Sequence, residues 1–124
     1  MERALRYELG QLFPGTRIFP TSAPVDSKAP YLIYLRHSTD WDKSLDGFIE
    51  GEALNYIVNG FAETYDSALD MRESFEELLR RMFKACIGAN ADVYINDIDL
   101  NGVGEVYEDK LKLHRWIVDF TVYI

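Results

Sequence analysis

Residues 116–124 read WIVDFTVYI, with a large apolar side chain at every second position. One face of an extended chain would carry the apolar side chains of Trp116, Val118, Phe120, Val122 and Ile124. The opposite face would carry the side chains of Asp119, Thr121 and Tyr123. A period of two is typical of a β-strand with one buried and one solvated face. The segment therefore predicts a long strand in a sheet whose core lies on one side.

Two earlier segments also have the composition of strands. Residues 31–36 read YLIYLR and residues 54–61 read LNYIVNGF, both rich in β-branched and aromatic side chains. The apolar positions within residues 93–100 suggest a further strand, followed by a glycine-containing acidic connection. Residues 38–53 are different, because they hold five acidic residues, one lysine and two glycines without a clean period. We predict a loop over residues 38–53.

Apolar residues at helical spacing predict two helices. The first is short, has Leu5, Leu9 and Leu12 on one side, and is ended by the helix-breaking pair at residues 14–15. The second is predicted from residue 66 to about residue 86, with Asp66 or Ser67 as its N-cap. Its apolar stripe consists of Ala68, Met71, Phe75, Leu78, Leu79, Met82 and Cys86. A cysteine on such a stripe is expected to be a buried, inert thiol.

The order helix, strands, helix, strands predicts an α+β fold. We expect one mostly antiparallel sheet packed by one long and one short helix. A length of 124 residues fits one domain, so residues 1–124 are assigned to a single domain.

The charge balance and the apolar runs restrict the function classes. The chain has 13 basic and 21 acidic residues, a net charge of −8, which repels phosphate and argues against specific nucleic-acid binding. No apolar run approaches the roughly 20 residues that span a bilayer, so we expect no membrane insertion. The single cysteine excludes an intrachain disulfide, and synthesis in a reducing cytoplasm is the expectation.

One segment satisfies a calcium-loop pattern. Its fixed positions, D-x-D-x-N-G-x5-E, are filled by Asp97, Asp99, Asn101, Gly102 and Glu108. Calcium would take oxygens from the early positions and a bidentate carboxylate from the last. The motif also needs flanking helices, whereas the residues on both sides have the pattern of strands. We favour an acidic connection between strands and keep a calcium site as the less favoured alternative.

The predicted loop over residues 38–53 offers the other candidate site. Its acidic and aromatic side chains could form an interface or line a channel, and they are Asp40, Trp41, Asp42, Asp46 and Phe48. No nucleotide-binding, zinc-binding or nucleophile motif occurs in the sequence. We therefore predict no catalytic site and no cofactor, and from the residues alone the function is that of an α+β interaction domain.

The layout resembles phage tail completion and tail terminator proteins. The likeness rests on a short N-terminal helix, the motif Arg-Ile-Phe-Pro at residues 17–20, and Ala-Pro-Tyr-Leu-Ile-Tyr at residues 29–34. It continues through the strand-to-helix step Ala-Glu-Thr-Tyr-Asp at residues 62–66 and the C-terminal strand at residues 116–122. It covers most of the chain and contains no catalytic signature.

The resemblance implies a virion structural protein of a phage or prophage, without enzymatic activity. Such a protein is made in the bacterial cytoplasm and ends in the virion tail. It forms a homo-oligomeric, hexameric ring that caps the tail tube and joins the tail to the head. Its partners would be copies of itself, the tail tube protein and a head-tail connector protein. A small calcium-binding or other protein-interaction module is the alternative.

Overall fold

The computed structural model describes residues 1–43 and 49–124, and within them a sheet carries two helices on one face. The helices are α1 (Glu2–Leu12) and α2 (Tyr65–Met82). The strands are β1 (Arg17–Pro20), β2 (Tyr31–Lys43), β3 (Ile49–Ala62), β4 (Cys86–Ile87), β5 (Val93–Tyr94), β6 (Asp97–Glu108) and β7 (Leu113–Tyr123).

The main sheet has five strands in the order β1-β2-β3-β7-β6. β1 runs parallel to β2, and the other three pairings are antiparallel. The short strands β4 and β5 form a separate antiparallel pair. This architecture confirms the predicted α+β class and the mostly antiparallel sheet.

The core lies between the two helices and the face of the sheet that β7 helps to form. Trp116, Val118, Phe120 and Val122 are fully buried, as their alternation predicts. Phe75 of α2 packs on two of them, with ring centroids 5.7 Å from Trp116 and 5.5 Å from Phe120. Each such buried side chain contributes roughly 1.5–3 kcal/mol, so this contact fixes α2 over β7.

The prediction of a loop over residues 38–53 is wrong, because β2 and β3 continue through most of this stretch as a hairpin. Their pairing runs on from Ser38 opposite Asn55 to Lys43 opposite Ile49, and Asp46 and Phe48 lie outside the described residues. Ser38 and Asp40 are exposed. A ladder of backbone hydrogen bonds needs no apolar side chains, so a strand can form where the sequence shows no apolar period. The paired hairpin continues past the last residue of β7, Tyr123, which is opposite Ala53.

Three details of the long helix also differ from the prediction. Thr64 is the N-cap, and its Oγ1 accepts the backbone N–H of Ser67 at 3.1 Å, so neither Asp66 nor Ser67 has that role. The helix ends at Met82 because Phe83 leaves helical geometry, with ψ at 123°. Cys86 therefore lies in β4 and is exposed, not buried on a helix.

Among the described residues, neither helix is long and apolar enough to cross a membrane.

Candidate protein interface

β6 lies at one edge of the sheet and has β7 as its neighbour on one side only. The backbone N–H groups of Glu52 and Ile124 each donate to the other residue's carbonyl oxygen. Hydrogen-bonded and non-hydrogen-bonded pairs alternate along antiparallel strands, so this pair fixes which residues of β3 and β7 are bonded to each other. On this alternation, the even-numbered residues of β7 bond to β3 and the odd-numbered ones bond to β6. The remaining β6 residues therefore direct their backbone N–H and C=O groups away from β7, and they are Ile98, Leu100, Val103, Glu105 and Tyr107. Of these, the N–H of Ile98 is donated to Asp97 Oδ1 at 2.8 Å.

The same edge exposes apolar side chains. Leu100, Val103, Val106 and Tyr107 are each between 42% and 53% exposed. Long edge strands are usually protected by charged side chains, proline or a β-bulge. β6 has acidic residues and a bulge between Leu100 and Gly102, but no lysine or proline. An edge with open backbone groups and apolar side chains is suited to receive another strand.

A groove of about 500 Å³ lies beside the start of β6, between that strand and the C-terminal half of α2. Its walls are formed by Glu76, Leu79, Arg80, Phe83, Asp97, Ile98 and Leu100. Phe83 and Leu100 are about half exposed, at 46% and 53%. The groove is thus mostly apolar, and its charged residues are Glu76, Arg80 and Asp97.

Arg72 ties the middle of β6 to α2. Its Nε donates to Glu105 at 2.8 Å and its Nη1 donates to Glu76 at 2.6 Å. Burial alone would lower the pKa of Arg72, but the hydrogen bonds and charges of the two carboxylates outweigh it and raise the pKa. Glu105 also raises the pKa of Tyr65, chiefly through a hydrogen bond. These contacts hold the edge strand against the helix.

The face of the sheet opposite the helices carries two polar clusters. In the first, Asn55 donates to Ser38 at 2.8 Å and accepts the hydroxyl of Thr121 at 2.6 Å. Asn101 donates to the same Thr121 oxygen at 2.8 Å, so the cluster crosses four strands. Asp40 lies at its margin, 3.3 Å from the Asn55 amide nitrogen.

The second cluster surrounds Arg115 on β7. The guanidinium donates to Asn59 of β3 and to Glu108 of β6, both at 2.9 Å. His37 of β2 lies on the same face farther along the sheet, with its Nε2 3.7 Å from Asp119, too far for a hydrogen bond. These polar groups bind one another across strands, which holds the sheet together laterally.

The four calcium-candidate residues all lie on β6. A strand rises about 3.3 Å per residue, so Asp97 and Glu108 are roughly 35 Å apart along it. Glu108 pairs with Arg115, and Asp99 accepts the Tyr123 hydroxyl at 2.8 Å. The structure does not bring these oxygens together, and no group of three or more metal-ligating residues occurs in the described part of the chain. The lack of calcium binding stays a prediction.

The hairpin candidates have different positions. Asp40 is exposed on β2, and the backbone of Trp41 and Asp42 continues that strand. Asp46 and Phe48 lie outside the described residues.

Sequence reasoning placed a strand at Ile98 and Leu100 but missed that it continues as β6 to Glu108. Ile98 and Leu100 alternate, and the alternation resumes at Val103, Glu105 and Tyr107 after a slip of one residue. The slip is a register shift between Leu100 and Gly102. A period of two that is offset once is the signal of a strand with a β-bulge.

The fold is similar to that of a chain in the solved structure of the virion of a native gene transfer agent (GTA) particle. The TM-score is 0.66, the alignment covers 93% of this chain and 82% of that chain, and the sequences are 12% identical. At that identity the likeness shows a shared fold. No protein-family model matches the sequence, and no curated protein sequence matches it.

Proposed function

We propose that this protein is a structural component of a phage-like virion that caps the tail tube and joins the tail to the head. It acts as a homo-oligomeric, hexameric ring, without catalysis or a cofactor, and its partners are the tail tube protein and a head-tail connector protein. It is made in the cytoplasm of the bacterial host and resides in the virion tail.

The observation that carries the proposal is the fold likeness to a chain of a GTA virion over 93% of the sequence. The resemblance of the sequence to tail completion and tail terminator proteins supports the finer assignment. The open edge of β6 supports an assembly role, because such an edge exposes backbone groups and apolar side chains that a partner would cover.

The acidic hairpin of β2 and β3 is proposed to face the channel of the ring. Its sequence carries Asp40, Asp42, Asp46, Glu50 and Glu52. The paired strands extend past the end of β7, which makes the hairpin the projecting element at that end of the sheet. Carboxylates repeated around an axis repel phosphate, so DNA could slide through without being held. Trp41 and Phe48 of the same segment are proposed to contact the tube.

The alternative function, a small calcium-binding or other protein-interaction module, is the less favoured of the two. The pattern from Asp97 to Glu108 depends on a compact loop, and these residues form an extended strand.

Deletion of the gene in the phage or prophage that carries it tests the proposal. We expect DNA-filled heads separated from tails, and tubes of uncontrolled length, in electron micrographs of the lysate. A plasmid copy should restore joined particles, and quantitative mass spectrometry of purified particles should find the protein at one ring per tail. Joined, infectious particles of normal tail length from the deletion strain would exclude this role.

A further inference from the structure

We infer that copies of this chain join edge to edge, with the β6 edge of one copy running antiparallel to the β1 edge of the next. The inference rests on the proposed function for its biological setting, and it names the surface through which the ring is built. The occupant of the β6 edge and of the adjoining groove is therefore a second copy of this chain.

Strand direction makes this pairing a simple continuation of the sheet. β1, β2 and β7 run in one direction, and β3 and β6 run in the opposite direction. The two outer strands, β1 and β6, are therefore antiparallel to each other. When identical sheets are placed side by side in the same orientation, β6 meets β1 of the neighbour in the antiparallel arrangement, the more stable of the two ladder types.

The helices then meet on one side of the extended sheet. α1 lies over the β1–β2 side, where Glu2 pairs with Arg36 of β2 at 2.8 Å. α2 lies over β7 and β6, as its contacts through Phe75 and Arg72 establish. Continuation of the sheet places α1 of the next copy beside the groove of about 500 Å³ between α2 and β6.

The N-terminal segment that contains α1 and β1 is basic, and the segment that contains β6 is acidic. Residues 1–36 contain five basic and three acidic residues, and Glu2 is already paired with Arg36. The exposed Arg6 of α1 and Arg17 of β1 form no ion pair within the described part of the chain. Residues 92–109 contain six acidic residues and no lysine or arginine. Asp97 and Asp99, exposed at the start of β6, have no cationic partner among the described residues.

This charge pattern selects a head-to-tail assembly. Two β6 edges brought together would place acidic residues against acidic residues, which disfavours a two-fold dimer through this strand. A contact between unlike surfaces repeats from copy to copy, and it closes into a ring when the rotation between neighbours permits. The contact between β6 and β1 can therefore close a ring of subunits, whereas an isolated head-to-tail dimer would leave one β6 edge and one β1 edge uncovered.

Charge reversal on each edge tests the electrostatic part. One variant carries Arg6→Glu and Arg17→Glu, and the other carries Asp97→Lys and Asp99→Lys. Each alone should weaken self-association about tenfold or more in sedimentation velocity at low salt, because like charges then face each other. An equimolar mixture of the two should associate to within about threefold of the wild type, since each variant supplies the charge that the other lacks. A misfolded variant cannot give this rescue.

Glu73→Lys with Arg81→Glu is the matched control. Both residues are exposed on the side of α2 that lines a depression with Leu12 of α1, away from β6. This pair should leave self-association unchanged. Equal weakening by the control, or no rescue in the mixture, overturns the edge-to-edge assignment.

The backbone part is tested at Val103, whose N–H points away from β7. Val103→Pro removes that donor without breaking the β6–β7 ladder, as proline is tolerated on the open side of an edge strand. It should reduce association about tenfold or more, while Val103→Ala, which keeps the N–H, should change it less than about threefold.

The association experiments test the interface separately from the gene deletion, which tests the proposed function. If wild-type protein associates but Val103→Pro and the charge variants associate equally well, the interface lies elsewhere, and the role in the virion is unaffected. If the deletion strain makes normal particles, the virion role fails, and the sedimentation data still decide the interface. A wild-type chain that stays monomeric up to about 1 mM, with or without isolated tails, contradicts the inference directly.

Discussion

Gly60 is a position on β3 where only glycine fits. It is opposite Trp116 in the ladder, and a Cβ built on it would overlap the indole ring. The indole is fully buried against Phe75, so it has no free space to move into. We expect Gly60→Ala to lower the free energy of unfolding by about 1–3 kcal/mol, as overpacking does. Urea denaturation measures this.

Gly102 on β6 is the matched control for that substitution. A Cβ there meets nothing within 4 Å. Gly102→Ala should therefore change the free energy of unfolding by less than about 0.5 kcal/mol. If the two alanine variants are equally stable, the indole does not pack on Gly60 as described.

Tyr56 buries a hydroxyl at a cost. The side chain is fully buried, and its oxygen makes no hydrogen bond of good geometry in the described part of the chain. Tyr56→Phe should therefore leave stability at pH 7 unchanged or raise it by about 1 kcal/mol. Thermal denaturation of the two proteins in parallel provides the comparison, with Tyr94→Phe at an exposed position as the control.

Tyr56 also determines the direction in which the stability of the fold changes at alkaline pH. Burial, and next the nearby Glu2 carboxylate, raise the pKa of Tyr56 above its ordinary value of 10.0. The stability that follows from this shift is fully present below pH 10 and is lost as the pH rises, because the unfolded chain ionises first. Above pH 10 the wild type should lose stability more steeply than Tyr56→Phe. Parallel curves for the two proteins would contradict this account.

The start of α2 depends on one hydroxyl. Thr64 Oγ1 accepts the N–H of Ser67 and satisfies one of the free donors of the first turn. Thr64→Ala should cost about 1 kcal/mol of unfolding free energy in urea denaturation. Ser67→Ala should be close to neutral, since Ser67 contributes its backbone N–H to this contact. A larger loss for Ser67→Ala would reinstate the cap predicted from the sequence.

The elements that the sequence predicts well are those with one buried face. α1, α2 and β7 each place apolar residues at the period of their geometry, because a single core removes that face from water. The hairpin was wrongly predicted as a loop because residues 38–53 show no clean apolar period. Residues 101–108 of β6 were wrongly predicted as a connection because a β-bulge offsets their alternation once. Their strand state is fixed by pairing with residues distant in sequence, such as Thr121 with Asp99. The acidity of β6 could be seen in the sequence, but its place at the sheet edge could not.

The extended form of β6 supports the prediction that this segment binds no calcium. An extended strand cannot fold its carboxylates around one ion without leaving β7, and that would break the ladder from Asp97 to Glu108. Isothermal titration with Ca²⁺ at low ionic strength should show no saturable site below about 1 mM. Micromolar binding that Glu108→Gln abolishes would show that the segment forms a loop in the presence of the ion.

At the scale of the whole molecule, charge is separated along the sheet. The N-terminal part, residues 1–36, has more basic than acidic residues, while β6 and the β2–β3 hairpin are acidic. If β6 is neutralised by the next copy in a ring, the hairpin remains as the acidic surface that faces other components. The proposed assembly therefore assigns the two acidic segments to different tasks: β6 joins subunits, and the hairpin repels the DNA that passes through.

Replacement of Asp40, Asp42 and Asp46 with lysine separates the channel role of the hairpin from an assembly role. The ring should still form, because the hairpin is not part of the edge contact between β6 and β1. The lysines should then bind the phosphates of the passing genome, so particles should show slow or incomplete DNA ejection and a reduced titre. The matched variant with asparagine at the same positions removes the repulsion without adding attraction, and its defect should be smaller. Normal titre and ejection in the lysine variant would place the hairpin away from the channel. Loss of ring formation in both variants would instead assign the hairpin to a subunit contact, because asparagine cannot hold DNA and could fail only by disturbing the assembly.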